Sequence, residues 1–77
     1  MAKQPERARI RIRNDIDLYR RAEMVTRLER QRRILSAHFE PGDPHVLIVH
    51  YERGGFSHGT LVDLIQHHGV AAEALPD

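Results

Sequence analysis

The chain has 77 residues, of which 40% are apolar and 30% are charged, and its formal net charge at pH 7 is +1. This composition is typical of one small globular domain rather than of a disordered chain. The sequence has no cysteine, which excludes disulfide bonds and thiolate metal sites, and no apolar run reaches the roughly 18 residues of a membrane span. Because the N-terminus also lacks the pattern of a secretory signal, we expect a cytoplasmic protein.

Residues 1–7 are predicted to be a flexible lead-in to a domain that spans residues 8–75. The stretch "ARIRIR" at 8–13 alternates apolar residues with arginine, which predicts a half-buried strand. The polar "NDID" interrupts it, and a helix is predicted from about Asp17 to Arg32. Its apolar stripe consists of Leu18, Ala22, Met24, Val25 and Leu28.

Two β-prone runs, 34–40 and 45–52, flank "PGDP" and predict a hairpin whose loop is longer than two residues. The second run is apolar almost throughout, as is typical of a central strand. The glycines of "RGGF" favour a tight turn from this strand into a helix. Ser57 is the predicted N-cap of that helix and Gly69 its left-handed stop, and "VAAEAL" at 70–75 is the last strand.

The order of these elements is β-α-β-β-α-β, which is the pattern of a ferredoxin-like α+β sandwich. We therefore predict a four-stranded antiparallel sheet. Right-handed crossovers place both helices on one face of such a sheet.

The second helix and last strand share a pattern with a known family. The pattern is a helix-starting serine, apolar residues at helical spacing, and a glycine followed by an apolar residue, namely Ser57, Leu61, Ile65, Gly69 and Val70. In these positions the chain resembles heavy-metal-associated domains. Three further segments are similar to the first, second and third strands of that family: "ARIRIRND", "RILSAHFE" and "VLIVHYE".

The chain departs from the family at the junction of the first strand and first helix. Family members that bind Cu(I) or Zn(II) have Cys-x-x-Cys there, whereas this chain reads "RNDIDLYRR". The resemblance is therefore to the cysteine-less branch, and thiolate capture of Cu(I) is excluded. It implies a non-enzymatic accessory or regulatory domain of metal transport, with a metal-transport protein as its partner.

A metal site built from histidine and aspartate is one hypothesis. In the predicted topology three connections meet at one end of the molecule and bring Asn14 and Asp43 together with the predicted ligands, which are Asp15, Asp17, His45, His67 and His68. Imidazole and carboxylate groups suit a divalent transition metal such as Zn, Ni or Cu(II). The alternative is that the two adjacent histidines merely stabilise the C-terminal end of a helix dipole.

The sheet face that points away from the helices offers a second candidate. His38 and His50 are predicted to be diagonal neighbours there and form an alternative metal pair. A predicted interaction face adjoins them, with a homodimer as one outcome; it consists of Arg9, Arg11, Arg13 and Ile48. Because the arginines disfavour a cation, this face points to an anionic or protein partner, or simply to a solvated surface.

Catalysis and nucleic-acid binding have little support. Ser57 next to His58 is better explained as an N-cap than as a nucleophile, so no enzyme is predicted. The arginine face lacks the aromatic residues on which bases stack, which leaves weak nucleic-acid binding as a minor alternative.

Overall fold

The computed structural model describes residues 5–52, 54 and 57–76. Its elements, in chain order, are β1 (Pro5–Ile12), α1 (Leu18–Glu29), β2 (Ile34–Glu40), β3 (Asp43–Glu52), α2 (His58–Gln66) and β4 (Ala72–Leu75). All strand pairs are antiparallel and the order in the sheet is β2-β3-β1-β4. The predicted ferredoxin-like fold is confirmed.

Strand β1 alternates as predicted. Ala8, Ile10 and Ile12 are buried in the core between sheet and helices, because alternate residues of a strand point to the same face. The strand begins at Pro5, which pairs with Glu52 of β3, and thus three residues before the predicted start. Residues 5–7 of the predicted lead-in are therefore part of this strand, and residues 1–4 lie outside the described part of the chain.

Strand β3 is central, as its composition predicted. It lies between β2 and β1, and residues 46–49 are all buried. Leu47 and Val49 belong to the core under the helices, whereas Val46 and Ile48 point to the opposite face of the sheet.

The hairpin between β2 and β3 is tighter than predicted. Strand β3 begins at Asp43 rather than at His45, and Asp43 pairs with Glu40. The loop is therefore the dipeptide Pro41–Gly42, and the prediction of a longer loop was wrong. Gly42 has a φ of +85°, a left-handed conformation that lets two residues reverse the chain.

Helix α1 is shorter than predicted, and part of its predicted apolar stripe is exposed. The carboxylate of Asp17 caps it by accepting the backbone N–H of Arg20 at 2.8 Å, and the helix ends at Glu29 rather than at Arg32. Met24 and Leu28 are buried, but Leu18 at the head of the predicted stripe is 70% exposed. Leu18 lies beside the edge strand β2, beyond which the described sheet has no further strand to cover it.

Helix α2 begins as predicted, with the Ser57 hydroxyl accepting the N–H of Thr60 at 3.1 Å. Leu61 and Ile65 are fully buried, and Gly69 ends the helical segment with a φ of +84°. Of the glycine-rich "RGGF", only Gly54 is described, so the predicted tight turn at this segment lies largely outside the described residues. None of the helices in the described ranges is long and apolar enough to cross a membrane.

Candidate functional site

The loop between β1 and α1 lies against the junction between α2 and β4, and we call this end of the molecule the rim. The side-chain oxygen of Asn14 accepts the backbone N–H of Ala71 at 2.6 Å. One guanidinium nitrogen of Arg20 donates to the carbonyl oxygen of His68 at 3.2 Å. The topology therefore brings these two segments together, as the sequence predicted.

His45, near the start of β3, contacts the end of β1 and the loop that follows it. Its Nδ1 lies 3.0 Å from the carbonyl oxygen of Ile12, and its Nε2 lies 3.2 Å from a carboxylate oxygen of Asp15. A carbonyl oxygen only accepts, so Nδ1 donates in the first contact. The second contact is an ion pair when the imidazole is protonated. One ring thus bridges the end of β1 and the middle of the loop.

The remaining predicted ligands point elsewhere. The Asp17 carboxylate is engaged as the cap of α1, and His67 and His68 line a groove between the two helices. Among the residues that the structure describes, no three His, Asp or Glu side chains lie close enough together to hold a metal ion. The five predicted ligands do not form one site, because capping and helix packing separate them. Asp15 and His45 are the pair that the fold does bring together.

The rim does not fit Cu(I). The potential metal ligands at the junction of β1 and α1 are Asn14, Asp15 and Asp17, which offer hard oxygen atoms, and the chain has no thiolate. The Asp15 carboxylate is moreover in contact with an imidazole. Geometry and donor chemistry therefore disagree with a soft monovalent ion at this position.

His38 and His50 are in contact on the outer face of the sheet, as their diagonal placement predicted. Their ring centroids lie 6.0 Å apart with the planes inclined by 19°. The hydroxyl of Ser36 lies 3.2 Å from Nδ1 of His50, so this nitrogen already has a hydrogen-bonding partner. A metal would find two imidazoles here but no third ligand among the described side chains.

The predicted interaction face is partly covered by its own residues. Arg9 of β1 reaches across β3 and pairs with the Glu40 carboxylate of β2 at 3.4 Å. Val46 and Ile48 lie on the side of β3 that this pair crosses, and only 1% and 8% of their surfaces are exposed. Ile48 is therefore not an accessible docking residue, which corrects the sequence interpretation. A long charged side chain covers apolar surface with its aliphatic stem while its head remains in water.

Arg11 and Arg13, the other arginines predicted for that face, differ in their contacts. Arg13 pairs with Glu73 of β4 at 3.0 Å, whereas Arg11 is exposed and lies beside a surface hollow that His45 also lines. Phe39 and Tyr51 belong to the side of the sheet that faces the helices. The described part of the outer face thus lacks the Phe, Tyr and Trp rings on which nucleotide bases stack.

The groove between α1 and α2 was not predicted from the sequence. It has a volume of about 490 Å³ and is lined by Arg27, Leu28, Arg30, Gln31, Leu64, His67 and His68. The spacing of Arg20, Glu23, Arg27 and Arg30 is the signal in the sequence, because it places all four on one side of α1. Partial burial, and then the nearby Arg27 guanidinium, lower the pKa of His68 below its ordinary value of 6.5.

Comparison with known proteins shows what fold the chain has. No model of a protein family matches the sequence, and no curated protein matches it. Among solved structures, the chain is similar to the Cu(I)-loaded N-terminal domain of a potential copper-translocating P-type ATPase from Bacillus subtilis. The TM-score is 0.78 at 15% sequence identity, and the match covers 92% of this chain and 88% of that one. The two domains share a fold.

Proposed function

We propose that this protein is a non-enzymatic accessory domain of metal transport, which acts in the cytoplasm by contacting a transport protein and does not itself capture Cu(I). The observation that supports this most is the likeness over almost the whole chain to a domain of a potential copper-translocating P-type ATPase. The rim supports the second half of the proposal, because its loop contains no thiolate and the Asp15 carboxylate is paired with His45.

The partner is tested with the cytosolic domains of a copper-translocating P-type ATPase. We expect saturable binding to the isotope-labelled chain, with amide shifts grouped on one surface. The variant Asp15→Asn, which keeps the size of the side chain, is compared with Glu23→Gln on α1 to ask whether the rim takes part. Absence of any saturable shift would contradict the transport role.

Cu(I) transfer is tested separately. When the chain is mixed with the Cu(I)-loaded Bacillus subtilis domain, we expect all of the metal to remain on that domain. Transfer of Cu(I) to this chain would contradict the second half of the proposal without affecting the first.

Binding of a divalent transition metal remains a second candidate function, which the contact between Asp15 and His45 favours. These two ligands, 3.2 Å apart, would hold Zn(II), Ni(II) or Cu(II) weakly, with water or a partner completing the coordination. We expect His45→Ala to abolish such binding and the double variant His67→Ala, His68→Ala to leave it unchanged. Calorimetric titration decides, and loss of binding in the double variant alone would place the metal at the end of α2 instead.

Docking or homodimerisation without a metal is favoured by a different observation. The large apolar side chains that are exposed in the described chain are Leu18, Tyr19 and Leu35. Leu35 lies on the edge strand β2, and Leu18 lies on α1 beside that edge, a position at which a further strand can pair with a sheet. If the chain forms a dimer in sedimentation, we expect Leu35→Lys to convert it to a monomer. Monomers at all concentrations would contradict the homodimer.

A further inference from the structure

Positive and titratable side chains line the groove between the two helices. Arg27 and Arg30 contribute from α1, and His67 and His68 contribute from the end of α2. The Gln31 side chain adds an amide at the same wall. Four groups that donate charge-assisted hydrogen bonds when protonated therefore line one depression of about 490 Å³, a volume within the range of small-molecule sites.

We propose that this groove binds a small phosphorylated molecule through its phosphate group. Guanidinium groups match the oxygens of a phosphate with two parallel hydrogen bonds, and protonated imidazoles donate further ones. Leu28 and Leu64 give the groove an apolar floor against which the rest of a small molecule can lie.

Charged groups around His68 affect whether its imidazole is protonated. The groups that act on its ring are Arg27 and Glu23 from α1 and His67 from its own segment. Glu23 is the one acid in this set, and it is paired with Arg27 at 3.3 Å in an exposed contact. Without a ligand, burial and the neighbouring arginine oppose protonation of His68. A bound dianion reverses this, because it favours the charged imidazole.

A role for the arginines in helix stability alone is the competing explanation. Arg27 and Arg30 lie in the last turn and at the C-cap of α1, where a positive charge stabilises the helix dipole. That role predicts a loss of stability when they are replaced, but no saturable response of the groove to phosphate. The two explanations are therefore separable by binding measurements.

The probe is inorganic phosphate, titrated into the isotope-labelled full chain at constant ionic strength. We expect saturable shifts confined to the groove residues and a movement of the His68 ring titration to higher pH. The single variant Arg27→Gln should bind several-fold more weakly, and the double variant Arg27→Gln, Arg30→Gln about tenfold or more weakly. Arg11→Gln removes one positive charge, as Arg27→Gln does, but from the outer face of the sheet, and it should bind as the parent does.

Sulfate separates the protonation of His68 from that of phosphate, because sulfate keeps its charge over the whole range. We expect sulfate to bind more tightly as pH falls from about 8 to 5 and His68→Gln to flatten this dependence. Shifts that do not saturate, an unchanged His68 titration, or equal weakening by Arg11→Gln would overturn the proposal. A nucleoside monophosphate that binds no more tightly than inorganic phosphate would overturn the assignment of a small organic ligand.

Discussion

The guanidinium of Arg9 lies 3.4 Å from the carboxylate of Glu40, although strand β3 separates the two strands to which they belong. Because β3 has apolar residues on both faces, its outer face needs a cover that neither α1 nor α2 provides. Arg9 is the register partner of Ile48, and its side chain crosses β3 to reach Glu40, so we infer that its aliphatic stem forms part of that cover. The small domain thus buries apolar side chains on both sides of its sheet.

Variants that remove or keep the aliphatic part of Arg9 test whether its side chain protects the outer face of β3. We expect Arg9→Ala to lower the free energy of unfolding by about 1 kcal/mol, since both the apolar cover and a partly exposed ion pair are lost. Arg9→Met keeps most of the stem and should lose less than half of that. Urea denaturation measures both variants. Equal losses would mean that the charge of Arg9, rather than its stem, is what stabilises the sheet.

Ile48 should behave as a core residue. We expect Ile48→Ala to cost about 2 kcal/mol of unfolding free energy, because Ile48 is 8% exposed, whereas Leu35→Ala should cost under about 0.5 kcal/mol because Leu35 is 53% exposed. Ile48→Glu should destabilise the fold further rather than dissociate a dimer. A folded Ile48→Glu variant of unchanged stability would contradict the observed burial.

The contact between His45 and Asp15 should hold the loop between β1 and α1. We expect His45→Ala to lower stability by about 1 kcal/mol and to speed amide hydrogen exchange within the loop, because two contacts of the ring are lost. Asp15→Asn removes one of these contacts and should have a smaller effect. In a double-mutant cycle the two changes should not add. Additive effects would show that the ring stabilises the loop through Ile12 alone.

Because the pKa of His68 is lowered in the folded protein, the free energy of unfolding should depend on pH. Burial and Arg27 disfavour protonation in the folded state, so below the ordinary pKa of 6.5 the unfolded chain binds more protons than the native one. This histidine therefore reduces stability as pH falls through 6.5 and towards its lower native value. We expect His68→Gln to lose less stability than the parent between pH 8 and about 5.

Denaturation at several pH values checks this, with His67→Gln as the matched control on the adjacent residue. The control variant should follow the pH dependence of the parent more closely than His68→Gln does. Identical pH profiles for the parent and His68→Gln would contradict the predicted role of this ring.

Two glycines should respond in opposite directions to the same change. Gly69 has a φ of +84°, so Gly69→Ala should cost about 1–2 kcal/mol through backbone strain, although space for the methyl group exists. Gly59 lies within α2 with the nearest side-chain atom 3.8 Å from an added Cβ, and Gly59→Ala should stabilise the helix by about 0.5–1 kcal/mol. Thermal unfolding measures both. A stabilising Gly69→Ala would contradict the left-handed stop.

Several features of the fold depend only on residues that are close together in the sequence. The alternation of 8–13, the continuous apolar run of β3, the Ser57 cap and the Gly69 stop each depend on neighbours within a few positions, and all were predictable. The length of the hairpin loop and the end of α1 were not, because two-residue turning at Gly42 and the turn at residues 30–33 depend on how the strands meet.

The sequence by itself determined the order of the elements, the antiparallel sheet with its helices, and the absence of any thiolate site, because these depend on periodicity and residue type. Tertiary structure decided which side chains meet. It paired His45 with Asp15 rather than with His68, paired Arg9 with Glu40 across β3, and set Arg27 opposite the end of α2. These contacts depend on the rotation of each helix and on how far side chains extend between strands that are distant in the sequence. A pattern of neighbouring residues contains no information on either.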